Sequence, residues 1–377
     1  MAAFRPRTQL ATHEVLNQPS PRGDGDLWAE DVPLREAVSR EGAGAHGEDL
    51  AAYGALLGEA AVREDGRSAN RHLPELVAFD RGGRRVDEVA FHPAYHAMLG
   101  RGVAAGYAAR AWEAGAAPGA HVSHAAMVYL ASQVEPGVCC PMTMSYAAIP
   151  ALEADAALAT EWRPRLLSRA YDPRSLPADQ KSGALFGMAM TEKQGGSDVR
   201  ANTTRAEADG EGWRLWGHKW FCSAPMCDAF LTLAYAPGGL SCFIVPRWTP
   251  DGDRNAIQIM RLKDKLGNKA NASAEIEYHG AYARMLGAEG AGVRTIVEMV
   301  HHTRLDAAIA PAGFMRAALA EAAWWCRSRR AFQKTLIDQP LMRAVLSDLA
   351  LDLEGGLALC LRVARAFDQG AVGDEAA

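Results

Sequence analysis

Apolar residues recur at helical spacing through the first part of the chain, residues 1–182. Positions three and four residues apart lie on one face of a helix, and an apolar face packs against a core. This spacing predicts helices over 51–62, 98–112, 123–134 and 147–167, the last with a break near Thr160. Residues 2–25 are polar and rich in proline, so we expect them to be extended. Turn-forming residues around Pro173 and Pro177 predict that this region ends there.

The pattern changes to short apolar runs between turns over residues 183–288. Such runs, bounded by Gly, Pro and Asp, predict strands. The clearest runs are Trp213–Trp216, Ala229–Tyr235, Leu240–Val245 and the strictly alternating Ala274–Tyr278. Strands at this spacing are typical of an antiparallel sandwich or barrel.

Helical spacing returns in long form over residues 289–377. One apolar stripe runs from Ala308 to Cys326 and contains Pro311, which should kink the helix or mark its start. A second stripe runs from Met342 to Leu361. Two amphipathic helices predict a helical bundle but cannot enclose its core, so we expect another chain or a continuation of this one to complete it. The chain is therefore expected to be α+β, with domains at 1–182, 183–288 and 289–377.

Composition excludes several classes of protein. The 377 residues carry a net charge of −5, so no overall positive field would recruit nucleic acid or an anionic membrane. No apolar run reaches the roughly 18–20 residues that span a bilayer, and the N-terminus has no apolar signal region. The seven cysteines include no C-x-x-C pair, and the neighbours His301 and His302 face different ways on a helix. We therefore expect a cytoplasmic protein with free thiols and no metal site.

Three segments carry candidate chemistry. An apolar run leads into a loop with two glycines and a Ser-Asp pair, Gly187–Asp198, where backbone amides could approach an anionic or planar ligand. About twenty residues later, Gly217–Ser223 forms a turn and an aromatic strand that ends in a hydroxyl. Arg329–Phe332, followed by Gln339, lies in the helical region. The first loop by itself is equally compatible with a structural turn.

Taken together, these segments resemble the acyl-CoA dehydrogenase family. The family's flavin loop T-E-x-x-x-G-S-D is matched by Thr191–Asp198. Its strand G-x-K-x-W-x-T/S is matched by Gly217–Ser223, with Phe221 in place of the usual tryptophan. Its R-x-x-F element followed by Gln is matched by Arg329, Phe332 and Gln339. The resemblance covers the helix–strand–helix order from end to end, and it implies the acyl-CoA dehydrogenase fold.

The resemblance implies an FAD site with assigned roles. Met190 and Thr191 would meet the flavin ring edge, Ser197 the pyrophosphate, and Phe221 the ring face. Cys222 would lie beside the ring and Ser223 near flavin N5, whereas the third segment would reach the FAD of a neighbouring subunit. The implied flavin contacts are Met188, Met190, Thr191, Gly195, Gly196, Ser197, Phe221, Cys222, Ser223, Arg329, Phe332 and Gln339.

Each role has a structural alternative. Thr191 and Ser197 could be turn hydroxyls, and Phe221 could belong to the core. Arg329 could be a surface cation, because Arg327 and Arg330 crowd the same turn.

Further stretches, such as Asn202–Glu207 and Arg261–Asn268, are similar to the AidB-like, alkylation-response branch of the family. That branch implies an FAD-containing homotetramer with weak activity on short or branched acyl-CoA thioesters. It also implies duplex DNA binding through a later C-terminal region. This stretch of sequence has no run of basic residues interleaved with aromatics, so we expect DNA binding only from a longer parent protein. The alternative is a stress-response protein that keeps the dehydrogenase scaffold only for structure.

No catalytic base is assigned. The family abstracts a proton with a glutamate at one of two positions, and the later position is expected beyond residue 377. The other, directly before an arginine of the long helix, reads Thr303-Arg304 here, and threonine is no carboxylate. Asp306 is near in sequence, but we expect it to point in another direction.

Overall fold

The computed structural model describes residues 6–113 and 115–370 of the chain. The helices are Val32–Arg40 (α1), Gly47–Gly58 (α2), Ala60–Arg71 (α3), Pro93–Ala105 (α4), Ala120–Ser132 (α5), Cys139–Leu152 (α6), Ala156–Leu166 (α7), Gly292–Ser328 (α8) and Pro340–Asp368 (α9). The strands are Glu75–Phe79 (β1), Arg85–Ala90 (β2), Phe186–Ala189 (β3), Arg205–Asp209 (β4), Gly212–Ser223 (β5), Ala229–Ala236 (β6), Gly239–Pro246 (β7), Ile257–Leu262 (β8), Ser273–Leu286 (β9), Arg330–Ala331 (β10) and Lys334–Thr335 (β11). The expected α+β class and its helix–strand–helix order are confirmed.

All residues of α5 are buried, because α5 packs against α1, α2 and α6 and against the two C-terminal helices α8 and α9. The break predicted near Thr160 lies earlier, between the end of α6 at Leu152 and the start of α7 at Ala156. Asp155 fixes this position, because its carboxylate accepts the backbone N–H of Leu158 at 3.0 Å and caps α7. Residues 6–25 are largely exposed and contain no helix or strand, as expected for an extended segment.

A short hairpin, β1 and β2, interrupts the helices and was missed by the sequence prediction. The hairpin attaches to the larger sheet through two backbone contacts with β8. Asp87 accepts the N–H of Ile259 at 2.8 Å, and the Arg85 guanidinium donates to the Ile259 carbonyl at 3.1 Å. Its stability therefore comes from partners that lie some 170 residues away in sequence.

The middle strands close into a barrel. β3 pairs with β5, β5 with β9, β9 with β7, β7 with β6, and β6 again with β3. β4 and β8 add to this ring at β5 and β9. The barrel is antiparallel as expected, except that β6 runs parallel to β3 and β4.

Two long helices follow the barrel. α8 begins at Gly292 and continues through Pro311, so of the two alternatives expected for Pro311, a kink or the start of the helix, the start is wrong. Pro311 lies on the exposed side of α8, where water can satisfy a carbonyl that the ring leaves without a donor. α8 packs against α5, α6 and α9, and α9 also packs against α5.

The other face of these helices carries exposed apolar side chains. They are Val297, Phe314, Met315 and Trp325 on α8, and Leu341, Val345, Leu349, Leu351, Leu359 and Val363 on α9. The three domain boundaries remain predictions.

Candidate functional site

The loop after β3 and the end of β5 lie side by side. Met188 pairs with Ser223, and Ala189 pairs with Cys222. Directly opposite residues project from the same side of a sheet, and neighbours along a strand alternate. Ala189 and Cys222 therefore share the inner side, where both are fully buried, whereas Met188 and Ser223 share the outer side and are partly exposed.

A bulge in β5 turns two aromatic rings outward. Lys219 pairs with Ile276 and Cys222 with Ala274, so three steps on β5 match two on β9. Both Lys219 and Cys222 consequently point inward, and the residues between them, Trp220 and Phe221, are displaced to the outside. Phe221 is 41% exposed, so it is not a core residue in this chain.

Cationic side chains border these rings. The Lys263 ammonium lies 3.4 Å from the centroid of the Trp220 ring and 5.3 Å from that of Phe221. The Arg261 guanidinium lies 5.5 Å from the Trp220 ring. Both cations also contact the Glu275 carboxylate, Arg261 at 2.7 Å and Lys263 at 2.8 Å, so this border of the aromatic end of β5 combines two positive charges with one negative charge.

Glu192 organises the loop after β3. Its carboxylate accepts the backbone N–H groups of Thr203 and Thr204, at 2.7 and 3.1 Å. It also accepts both threonine hydroxyls, at 3.0 and 2.6 Å, and the Gln194 amide at 2.8 Å. Lys219 completes the set from β5, with its ammonium 2.9 Å from the Glu192 carboxylate.

Glu192 and Lys219 form an ion pair that is fully shielded from water. Both side chains have 0% exposure, and Lys219 also donates to the carbonyl of Leu233 at 2.8 Å. Burial alone would raise the pKa of Glu192, but the Lys219 charge and the threonine donors outweigh it and hold that pKa well below its usual range. The pair remains charged at neutral pH and fixes the loop to the strand.

Two glycines permit the conformation of this loop. Glu192 and Gly195 close a tight turn with paired backbone hydrogen bonds of 3.3 and 3.0 Å, and Gly195 has a φ of 139°. A Cβ on Gly196 would lie 2.4 Å from the Thr191 hydroxyl. The loop thus presents exposed backbone at Gly195 and an exposed hydroxyl at Ser197.

The third predicted segment lies elsewhere on the chain. Arg329 directly follows α8, and Phe332 is at the tip of the β10–β11 hairpin, 94% exposed. Gln339 supports the hairpin by donating to the Ala331 carbonyl at 3.0 Å, and Asn17 binds its base through the backbone of Arg330. Within the described residues, no hydrogen bond or ring contact joins this hairpin to 188–223. A single chain therefore does not bring all the predicted flavin contacts together.

Asp306 lies one helical turn beyond Thr303, so the two residues share a side of α8, and the expectation that they diverge is wrong. Asp306 is buried; its carboxylate contacts His124 Nε2 at 2.8 Å and accepts the Thr143 hydroxyl at 2.5 Å. These partners occupy Asp306 inside the helical core.

Glu192 and Lys219 lie within the two motif segments, Thr191–Asp198 and Gly217–Ser223, but the sequence predicted no role for either. A signal was available, because charged residues next to apolar strands are usually paired when they are buried. Cys140, in the first turn of α6, was likewise not predicted to lie at the site, although it neighbours Ser223. Burial raises the pKa of this thiol, so it remains protonated at neutral pH.

Comparison with known proteins agrees with this architecture. Residues 17–173 match the family profile described as the adaptive response protein AidB N-terminal domain. Residues 187–281 and 290–377 match the middle and C-terminal domains of acyl-CoA dehydrogenase. The chain is 50% identical to the putative acyl-CoA dehydrogenase AidB of Escherichia coli over 97% of its own length and 68% of that protein's. It belongs to the acyl-CoA dehydrogenase family, in the AidB-like branch.

More distant relatives share the fold. The chain is 32% identical to acyl-CoA dehydrogenase family member 11 of Caenorhabditis elegans, over 84% of this chain and 53% of that protein. The structure of ACDH-11 from the same nematode, in complex with C11-CoA, superimposes with a TM-score of 0.87 at 28% identity, and covers all of this chain. This chain spans 66% of that structure.

Two features are absent from the described residues. None of the helices there has the length and apolar character required to cross a membrane. Nor do three His, Cys, Asp or Glu side chains stand together in that part of the chain as metal ligands would.

Proposed function

We propose that this chain binds FAD on the outer side of β3 and β5 and oxidises an acyl-CoA thioester with it. The supporting observation is the shared register of Met188 and Ser223, with Phe221 turned outward by the bulge. The family to which the chain belongs is typically FAD-dependent. The proposed contacts in this part of the chain are Met188, Met190, Thr191, Gly195, Gly196, Ser197, Phe221, Cys222 and Ser223.

The residues present fit such a group. Phe221 offers a ring face, and the Thr191 and Ser223 side chains, both partly exposed, offer hydroxyl groups. The Gly195–Ser197 turn offers backbone and a hydroxyl of the kind that phosphate oxygens accept. Because the Cys222 side chain is buried in the barrel, only its backbone could contact a ligand on this side.

The chemistry divides between FAD and the chain. Bound FAD would supply the acceptor for the hydride removed from the acyl chain. The buried Glu192–Lys219 pair would hold the loop at its place on β5 without contacting the ligand. Thr303 has no carboxylate, and the Asp306 carboxylate is occupied by hydrogen bonds, so neither residue offers a free base for proton abstraction. We therefore propose that the present chain has weak activity at most.

The separate hairpin supports an oligomer. Arg329, Phe332 and Gln339 would complete the site of a second copy, because their own chain does not bring them to 188–223. Phe332 at 94% exposure and the apolar outer face of α8 and α9 support association with other copies. We propose a homotetramer, as the family resemblance implies.

The substrate class rests on the relatives. The nematode structure holds C11-CoA, which supports a CoA thioester here. The branch resemblance favours a short or branched acyl chain.

The test uses the purified chain with FAD added. We expect the yellow spectrum of bound flavin, and anaerobic loss of its absorbance near 450 nm on addition of an acyl-CoA from a panel that includes isovaleryl-CoA and longer chains. Ser197→Ala should weaken FAD binding, whereas Ser347→Ala, an exposed serine on α9, should not. Failure to bind flavin would overturn the proposal, and flavin that no thioester bleaches would leave only the cofactor part standing.

A role in the adaptive response is the second candidate. It is favoured by the match of residues 17–173 to the AidB N-terminal domain. In that case FAD binds but no thioester reduces it. Duplex DNA is then bound by a longer parent protein rather than by residues 1–377. A salt-sensitive gel shift of duplex DNA by residues 1–377 alone would contradict that assignment.

A further inference from the structure

The β10–β11 hairpin has a backbone conformation that its own residues do not favour. Its turn consists of Phe332 and Gln333, because Ala331 pairs with Lys334 on either side of them. Both turn residues have positive φ, 49° and 67°, a conformation that glycine and asparagine adopt more readily than bulkier residues do. Two residues in each strand are also too few to keep a hairpin ordered in water. Contacts from elsewhere in the chain therefore hold it.

The N-terminal segment supplies such a contact through Asn17, which lies 313 residues away from Arg330 in sequence. The Asn17 side-chain amide donates to the Arg330 carbonyl at 2.9 Å, and its oxygen accepts the Arg330 N–H at 2.7 Å. The N–H and carbonyl of one residue point to the same side of a strand, so Asn17 occupies the open edge of β10 as a further strand would. The hairpin is thereby extended by one side chain.

The main chain of Asn17 makes a second contact. Its carbonyl accepts Arg329 Nη1 at 3.0 Å, and its own φ is 60°, in the left-handed region that asparagine tolerates. No carboxylate pairs with Arg329 among the described residues, so most of its guanidinium donors remain available to an anion. Asn17 thus fixes the base of the hairpin and the adjacent guanidinium together.

The segment that carries Asn17 is anchored separately on α8. The Arg22 guanidinium pairs with the Glu321 carboxylate at 2.8 Å. Pro19 and Pro21 lie between Asn17 and Arg22, and their rings restrict the backbone there. The hairpin therefore takes its position from a segment that is itself attached to the long helix.

We propose that Asn17 is a positioning residue for the flavin site and acts through the hairpin that carries Arg329 and Phe332. The proposal rests on the proposed function, in which those two residues reach the FAD of a second copy. Phe332 is 94% exposed at the tip of the hairpin, so its place in a neighbouring copy depends on how firmly the base is held. The N-terminal segment of one copy thereby contributes to cofactor binding by another without contacting the cofactor.

The first measurement is hydrogen exchange of residues 329–336 in the protein without FAD. Asn17→Gly removes the amide, and glycine adopts the left-handed conformation without strain. We expect faster exchange of the Arg330 N–H, which loses its acceptor, and of the Leu336 N–H, which donates to the Arg329 carbonyl at 2.8 Å. The urea midpoint of global unfolding should not change, because Asn17 lies on the surface.

The second measurement is the dissociation constant of FAD. Asn17→Gly should raise it about threefold to tenfold, because two hydrogen bonds that order the hairpin are lost. In protein that already carries Arg329→Gln and Phe332→Ala, Asn17→Gly should have less than about a twofold further effect, since it acts only through those side chains. A purely structural role for Asn17 would give the same fold-change in both backgrounds.

Gln18→Gly is the matched control. It also removes a side-chain amide and adds a glycine to the same exposed segment, but Gln18 makes no side-chain hydrogen bond within the described part of the chain. Hairpin exchange and FAD affinity should both equal those of the unsubstituted protein.

Hairpin exchange that Asn17→Gly leaves unchanged would overturn the proposal. So would an unchanged dissociation constant of FAD, or an effect of Asn17→Gly that persists in full after Arg329 and Phe332 are substituted. Flavin binding by the unsubstituted protein is established first. Its absence would refute the proposed function and the role of Asn17 with it, whereas bound flavin that does not respond to Asn17→Gly would refute only the role of Asn17.

Discussion

Substitution of Lys219 by methionine tests whether the buried ion pair holds the candidate flavin loop in place. Methionine keeps the apolar stem but removes the charge that lies 2.9 Å from Glu192. At an effective dielectric constant of about 20 the attraction over that distance is roughly 6 kcal/mol, before the cost of burying both charges is subtracted. Loss of one partner of a buried pair typically costs about 3–5 kcal/mol.

The donors that remain set the expected value within that range. Thr203, Thr204 and Gln194 still donate to the carboxylate, so the cost should lie near the lower limit, about 3 kcal/mol. The assay is urea unfolding followed by tryptophan fluorescence at pH 7.5. Arg214→Met is the control, because it removes an exposed ion pair with Asp209 on the same strand and should cost less than about 1 kcal/mol.

The pH dependence gives a second criterion. Without Lys219, the burial that raises the pKa of Glu192 is opposed only by the remaining threonine and glutamine donors, so this pKa should be higher than in the unsubstituted protein. The deficit of Lys219→Met relative to the unsubstituted protein should therefore shrink as the pH falls from 7.5 towards 5. FAD affinity should fall in this variant as well. A loss of stability no greater than that of Arg214→Met, or a deficit independent of pH, would refute the reasoning.

Three further outcomes are expected. Gly196→Ala should displace the Thr191 side chain, destabilise the protein by about 1–2 kcal/mol and weaken FAD binding, as measured by urea unfolding and flavin titration. Burial lowers the pKa of His302 to about 4, below its unfolded value of about 6.5, so the folded protein loses stability as the pH falls through that window. Between pH 7.5 and 5, the free energy of unfolding of His302→Gln should therefore fall by about 2 kcal/mol less than that of the unsubstituted protein, as measured by urea unfolding. Equal losses in the two proteins would contradict this. Gly355→Ala, at an exposed position of α9 with open space around it, should raise stability by roughly 0.5–1 kcal/mol in the same assay, and any destabilisation there would be unexpected.

Local sequence patterns predicted the elements that depend on near neighbours. The helical spacing of α8 and α9 and the alternation in β9 follow from which residues of one segment share a face. The loop after β3 and the aromatic end of β5 could likewise be assigned to one site, because each matches a sequence motif of the family. For these parts, the relevant interactions lie within one helix, one strand or one turn.

Other features were decided between segments that are distant in sequence. The β1–β2 hairpin was missed because it depends on Asp87 and Arg85 contacting β8. The end of α6 was misplaced because the cap at Asp155 outweighs the helical spacing that continues past it. The burial of Asp306 could not be foreseen either, because its partners, His124 and Thr143, come from two other helices.

The sequence by itself therefore determined the order of helical and stranded regions and the segments that carry the candidate flavin chemistry. Only the tertiary structure decided that the Lys219–Cys222 bulge turns Phe221 outward, and that Glu192 and Lys219 meet in the interior. It also decided that the Arg329–Gln339 segment lies apart from 188–223. The physical reason is that periodicity records which side of an element is apolar, whereas strand register and ion-pair partners depend on contacts between elements, which no local pattern contains.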